Sequence, residues 1–192
     1  MKISHLLAAA LLTAFVLPPI LRADTEVVDG IEWTYTVLGG KVSVGSGAYP
    51  DPAIPTSTSG ILVIPAILGG YPVTSIGNYA FYGCSGFTSV TIPDSVTSIG
   101  DEAFEGCSGL TSVTIPDSVT SIGNRVFYRC TGISEVVISG RIAIINGGAF
   151  EGCSGLKSVT IEEGVTSIES YAFNGCRNLA TVNIPKSINP FP

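Results

Sequence analysis

In the segment LTSVTI (110–115), Leu110, Val113 and Ile115 are apolar while Thr111, Ser112 and Thr114 are polar. β-Branched residues with this alternation predict a short strand with one buried face. PDS (116–118) ends it, because proline lacks the N–H that would extend a ladder. VTSIG (119–123) predicts a second short extended stretch with Val119 and Ile122 inward. AFEGC (103–107) is too short for a lasting helix and predicts a single helical or 3₁₀ turn. Gly109 is expected to let the chain bend back into the next strand.

The pattern returns every 23 residues. VTSIGNYAFYGCSGFTSVTIPDS (73–95) is followed directly by VTSIGDEAFEGCSGLTSVTIPDS (96–118), and looser copies occupy 119–141, 142–164 and 165–187 without insertions. The period holds for Phe81, Phe104, Phe127, Phe150 and Phe173, and for Cys84, Cys107, Cys130, Cys153 and Cys176. No copy can bury its apolar face alone, so like residues must stack in successive coils. Their strands then run parallel, about 4.8 Å apart. The predicted fold is a β-rich solenoid with one parallel sheet, short helical turns opposite it, and a core ladder of Phe and Cys.

The sheet face pointing away from that core carries Thr88, Ser89, Thr91, Thr111, Ser112, Thr114, Ser134, Glu135, Val137, Lys157, Ser158, Thr160, Thr181 and Asn183. It is mostly a neutral hydroxyl ladder, interrupted by Glu135 and Lys157. One reading is a solvated β-face, since Thr sits readily in strands. The other is a broad, shallow contact surface suited to a sugar or an extended polypeptide. On the opposite flank, Tyr79, Tyr82, Tyr128 and Tyr171 lie beside a core Phe or two before it. They form either a second contact surface or a half-exposed rim.

Residues 73–187 resemble the 23-residue BspA-like leucine-rich repeat of bacteria, and SGILVIP (59–65) resembles it more loosely. The Phe, Cys, Leu-x-x-Val-x-Ile and Pro positions carry the resemblance. Departures are Val126 in place of Ala, Ser139-Gly140-Arg141 in place of Pro-Asp-Ser, and Glu162-Glu163-Gly164 at the same point of the fourth copy. The resemblance implies a right-handed, curved leucine-rich-repeat coil on a secreted or surface-displayed protein, with roles in adhesion and recognition.

Outside the repeats, GIEWTYTV (30–37) and GGKVSVGSG (39–47) predict a β-hairpin around Gly39-Gly40. As an N-terminal cap it would cover the first coil with Trp33 and Tyr35; a ligand pocket on Trp33 is the competing role. YPDPAIPTSTSG (49–60) reads as a connector, and AILGGYP (66–72) expands one turn by five residues. The expected organisation is a signal peptide at 1–23, a cap and connector at 24–58, and the solenoid at 59–192 with a short tail at 188–192. In that tail, Pro190 and Pro192 discourage edge pairing and Phe191 is placed to fold over the last coil. A final coil left open is either a self-association surface or the mark of a truncated frame.

The signal reading rests on Lys2, the apolar run LLAAALLTAFVL (6–17), and Ala23 before Asp24. The run is shorter than the roughly 20 residues of a bilayer span and ends at Pro18-Pro19, which disfavours an uncleaved anchor. No later stretch predicts a transmembrane span. Without residues 1–23 the chain keeps seven basic and fifteen acidic residues, a formal charge of −8, and loses His5, its only histidine. That charge repels phosphate backbones, so nucleic acid is not an expected partner.

Five cysteines in an exported chain raise the question of disulfides. Stacked copies place their Cα atoms about 5 Å apart, within bridging range. Each Cys nevertheless sits three residues after a core Phe and three before a core Leu or its equivalent, where a free thiol behaves as a small buried hydrophobe. A spacing of 23 with no histidine does not suit zinc. No base is poised beside a Ser or Cys nucleophile, so no catalytic residue, metal or cofactor is assigned. The acidic pairs Asp101-Glu102 and Glu162-Glu163 fall in turns and read as solvated charge, with no calcium-loop pattern. The expected function is non-enzymatic binding of an extracellular protein or glycan, with self-association through the C-terminal coil as the alternative.

Overall fold

A computed structural model describes residues 23–188; the expected signal segment up to Arg22, and Phe191 with the rest of the tail from 189, lie outside the described residues. The chain opens with β1 (Ala23–Val28), β2 (Ile31–Leu38) and β3 (Lys41–Val44), paired antiparallel in that order. The hairpin expected around Gly39-Gly40 is β2–β3, and both glycines adopt the positive φ that a tight hairpin turn demands. β1 is an addition: it is largely exposed on both faces, so no hydrophobic alternation announced it. Trp33 and Tyr35 are buried, and the Trp33 ring meets Phe81 edge-on with centroids 6.3 Å apart. Both belong to the continuous hydrophobic core.

Next come β4 (Gly60–Val63), then β5 (Ile67–Leu68) and β6 (Tyr71–Ile76), an antiparallel pair built from the AILGGYP expansion. Each following repeat supplies two strands: β7 (Phe87–Thr91) and β8 (Ser98–Ile99), β9 (Ser112–Val113) and β10 (Ser121–Ile122), β11 (Glu135–Ile138) and β12 (Ile144–Ile145), then β13 (Ser158–Ile161) and β14 (Ser167–Ile168). β15 (Thr181–Asn183) ends the series. Stacked coils pair these strands parallel, one on the next, on two sides of the solenoid.

β3 also joins this stack, pairing parallel with β6. In the connector, Ala53 is fully buried, and its N–H donates to the Ala80 carbonyl at 2.6 Å. Residues 41–65 therefore trace a degenerate first coil.

The third side is made of turns. Among the described residues there is no helix of any kind. The segments around each core Phe are successive i→i+3 turns, such as Tyr82 N–H to Tyr79 O (2.9 Å) and Cys84 N–H to Phe81 O (3.1 Å). Alternate N–H groups leave their own coil: Tyr79, Phe81 and Gly83 donate to the carbonyls of Asp101, Ala103 and Glu105 at 3.0, 2.7 and 2.8 Å. Left-handed backbone at Tyr79 (φ 60°) and Gly83 (φ 70°) aims those donors outward, and it is what stops a helix from forming.

Inside, the phenylalanines stack face to face. Centroid distances from Phe81 through Phe104, Phe127 and Phe150 to Phe173 are 4.9, 5.2, 5.3 and 5.4 Å. Cys84, Cys107, Cys130 and Cys153 are buried beside them, and Cys176 in the last coil is half-buried.

The strand ladders differ from the single continuous sheet expected. On one side β4-β7-β9 and β11-β13-β15 are separate sheets; on the other, β8-β10 and β12-β14 are separate. Both breaks fall at one coil boundary, between residues 107–129 and residues 130–152. Its cause is local sequence: SGRIAIIN (139–146) stands where the two preceding copies have PDSVTSIG. Thr97, Thr120 and Thr166 each donate their N–H to the preceding coil at 2.8–2.9 Å, but among the described residues Ala143 finds no such acceptor. Asn146 bridges the gap with its side chain, Nδ2 donating to the Ile122 carbonyl at 2.9 Å. The turn side stays joined there, Phe127 N–H to Ala149 O at 2.8 Å. The result is a seam open only at the strands.

Candidate binding surface

The outward strand face is built by register. Ser89 lies opposite Ser112; Glu135, Ser158 and Thr181 form one row, and Val137, Thr160 and Asn183 another. Thr88, Thr91, Thr111, Ser112, Thr114, Glu135, Val137, Lys157, Thr181 and Asn183 are exposed, and Ser89, Ser134, Ser158 and Thr160 are half-buried. The face is thus present as one surface. It is less free than its composition implies, because the Thr111 hydroxyl donates to the Thr88 carbonyl at 3.0 Å and Thr88 to Gly60 at 3.4 Å. These two threonines knit coils together.

The seam gives the face its relief. Between β9 and β11 lies a depression of about 260 Å³, walled by Ser112, Thr114, Glu135 and Val137, with Asp117 and Glu162 at its lower end. Ser139 donates its hydroxyl to Asp117 at 2.9 Å and is itself buried, replacing the proline found there in regular copies. Ile61 and Val63 extend the same face on β4 and are 74% and 56% exposed, so the N-terminal end of the surface is apolar. Sequence reasoning missed both features. The apolar end sits in a degenerate copy, and the depression exists only because two neighbouring copies fail to pair.

The acidic turn residues have a different role from the solvated charge expected. Asp101 Oδ1 accepts the Asn124 backbone N–H at 2.7 Å, and Asn78 Oδ1 accepts the Asp101 N–H at 2.9 Å. Glu163 accepts the N–H groups of Lys186 and Ser187 at 3.0 and 3.2 Å. Each ties one coil to the next. Glu105 is separate: burial and the neighbouring Glu102 carboxyl push it up to about 7, against the pull of Arg125 and Arg129.

The four tyrosines do not form one patch. Tyr79 and Tyr82 cluster edge-to-face with Tyr49, centroids 5.1–6.4 Å apart. Tyr128 lies under the guanidinium groups of Arg125 and Arg129, 5.4 and 4.9 Å from the ring centre. Tyr171 stands alone and 69% exposed.

The thiols carry no exposed chemistry. Cys107, Cys130, Cys153 and Cys176 donate S–H to the carbonyls of Phe81, Phe104, Phe127 and Phe150 at 3.0–3.2 Å. Burial pushes Cys84 up to about 11 and raises Cys130, Cys153 and Cys176, so these thiols stay protonated.

Comparison with known proteins agrees with this architecture. Residues 74–192 match, in six copies, a family described as the BspA type leucine rich repeat region. No curated protein matches the sequence at a significant level. Among solved structures, a leucine rich repeat protein of T. pallidum is 25% identical with a TM-score of 0.65, the match covering 80% of each chain. A leucine-rich repeat protein from Eubacterium ventriosum is 25% identical (TM-score 0.57), covering 80% of this chain and 46% of that one. Another from Bacteroides ovatus is 25% identical (TM-score 0.51), covering 85% of this chain and 54% of that one.

Proposed function

The chain belongs to the BspA-type leucine-rich repeat proteins, and from that premise we propose that it is a non-enzymatic binding module of the cell exterior. In this reading residues 1–23 are a cleaved leader, residues 24–40 cap the degenerate coil at 41–65, and the solenoid presents its outward strand face to an extracellular protein or glycan. The observation that carries it is the seam. A solenoid offers a broad shallow surface, and here that surface holds a depression lined by Ser112, Thr114, Glu135 and Val137 beside exposed Ile61 and Val63. Apolar ground at one end and unpaired polar side chains at the centre favour a partner that spans several coils.

The test is substitution on that face. Ser112→Trp, Glu135→Trp and Lys157→Trp replace exposed side chains and leave the core untouched. Each is expected to weaken capture of an extracellular partner by about tenfold at unchanged melting temperature, the scale of one interface anchor. Unchanged capture by all three variants overturns the assignment of the face.

A second reading, self-association, has its own observation: Val182 and Ile184 in the last coil are 42% and 61% exposed, where the equivalent Val159 and Ile161 are buried. Sedimentation separates the two readings. A strict monomer at high concentration excludes assembly through this coil.

A further inference from the structure

On the turn side, each coil has two left-handed positions, and the first of each pair is Tyr79 (φ 60°), Glu102 (54°), Arg125 (51°), Gly148 (65°) or Tyr171 (64°). Glycine alone adopts this conformation without a steric cost. Its backbone task, donating N–H to the next coil, is done equally by Gly148 (to Ser170, 3.1 Å) and by Arg125 (to Gly147, 3.0 Å). One bulky side chain of the row is not kept for packing: Tyr171 is 69% exposed, whereas Arg125 lies over the Tyr128 ring. An unfavourable backbone conformation held by a side chain that the fold does not use points outward, to a ligand.

The row borders a groove of about 460 Å³ that crosses five coils, roughly 19 Å at the strand-to-strand repeat. Tyr79 stands at one end and Tyr171 at the other. Gly147 and Gly148 form the floor between them, and Arg125 and Glu151 are the nearest walls. One carboxylate oxygen of Glu151 accepts from Asn174 Nδ2 at 2.9 Å, while the other lies 3.2 Å from where a Cβ would sit on Gly148. The site therefore has an aromatic ring at each end, with an acceptor and a fork of donors between.

We propose that this turn-side groove, separate from the strand face, binds an uncharged oligosaccharide laid along the solenoid axis. Phenol rings offer flat apolar faces to the C–H faces of pyranose rings. Glu151 and Arg125 between them supply an acceptor and donors for hydroxyls. Charge selects the neutral class. The chain's acidity opposes a polyanion, and of the three lining carboxylates that would draw a polycation, Asp101 is already occupied by Asn124 and Glu151 by Asn174, with Arg125 beside them.

Calorimetric titration of the purified protein tests it. The probes are hexasaccharides of β-1,4-glucose, β-1,4-mannose and β-1,3-glucose, with a hexagalacturonate and a lysine-rich decapeptide for comparison. Binding of at least one neutral hexasaccharide is expected, and neither charged probe should bind in the groove. Tyr171→Gly should lower that affinity at least tenfold while leaving the melting temperature unchanged or higher, because it removes the ring and relaxes the backbone. A structural role for Tyr171 predicts the reverse, a lower melting temperature. Gly148→Arg fills the floor and is the second variant, expected to abolish binding. Failure of all three neutral probes, binding unaffected by Tyr171→Gly, or capture of the decapeptide that is lost in the same variants each overturns the proposal. None of these results depends on the strand-face reading, whose variants lie on the other side of the coil.

Discussion

Cys107 passes its S–H to the carbonyl of the phenylalanine one coil below, and three other cysteines repeat the contact. Four thiols are buried and Cys176 is only half so, which sets an order of reactivity. A thiol reagent under native conditions should modify Cys176 first and slowly, and the other four only on unfolding; mass spectrometry of labelled protein reads this directly. The buried-thiol role was legible because each Cys holds a fixed place between a core Phe and a core Leu. Gly109 was legible only in part. It has no left-handed backbone; instead, a Cβ there would collide with the Ser85 carbonyl of the neighbouring coil. Single-copy reasoning cannot detect a clash between copies. Glu105 adds a pH signature. Its carboxyl ordinarily titrates at 4.5 and is raised to about 7 in the folded chain, so folding favours its protonated form. That contribution is present in mild acid and lost as pH climbs from about 4.5 through 7. Glu105→Gln should therefore flatten the fall in melting temperature across that interval.

Among elements, the stacked phenylalanines and the seam sit at opposite ends of local stability. Phe127 is fully buried between two stacked neighbours, and Phe127→Ala should cost about 3–5 kcal/mol in denaturant unfolding. The seam has lost strand pairing on two sides and relies on Asn146 Nδ2 for one bond. Asn146→Ala should cost about 1 kcal/mol and speed amide exchange at β10 and β12 ahead of β7 and β13. The strands and their order could be read from alternation and period. The seam could not, although its sequence, SGRIAIIN, was visibly irregular. A departure from consensus marks where pairing is weakened, and only the neighbouring coil decides whether it breaks. The turns around AFEGC read as helical for a related reason. Their length permits a helix, and only one of the two left-handed residues that forbid it is a glycine, Gly83 or Gly106; the other, at Tyr79 or Glu102, carries a side chain that does not announce the conformation.

At the scale of the molecule, nearest-neighbour contacts hold a continuous core from Trp33 to the last coil. The candidate strand face was legible as a row of hydroxyls, but its relief and its apolar end were not, since both depend on the two irregular stretches of the repeat. The same one-dimensional architecture gives the protein a built-in optical marker. Trp33 is its only tryptophan, buried at the N-terminal end against Phe81. Indole fluorescence therefore reports the docking of one end, while far-ultraviolet circular dichroism reports every coil. If the seam divides unfolding into two stages, the two signals will part company, with emission tracking the coils that precede the seam and ellipticity tracking the whole.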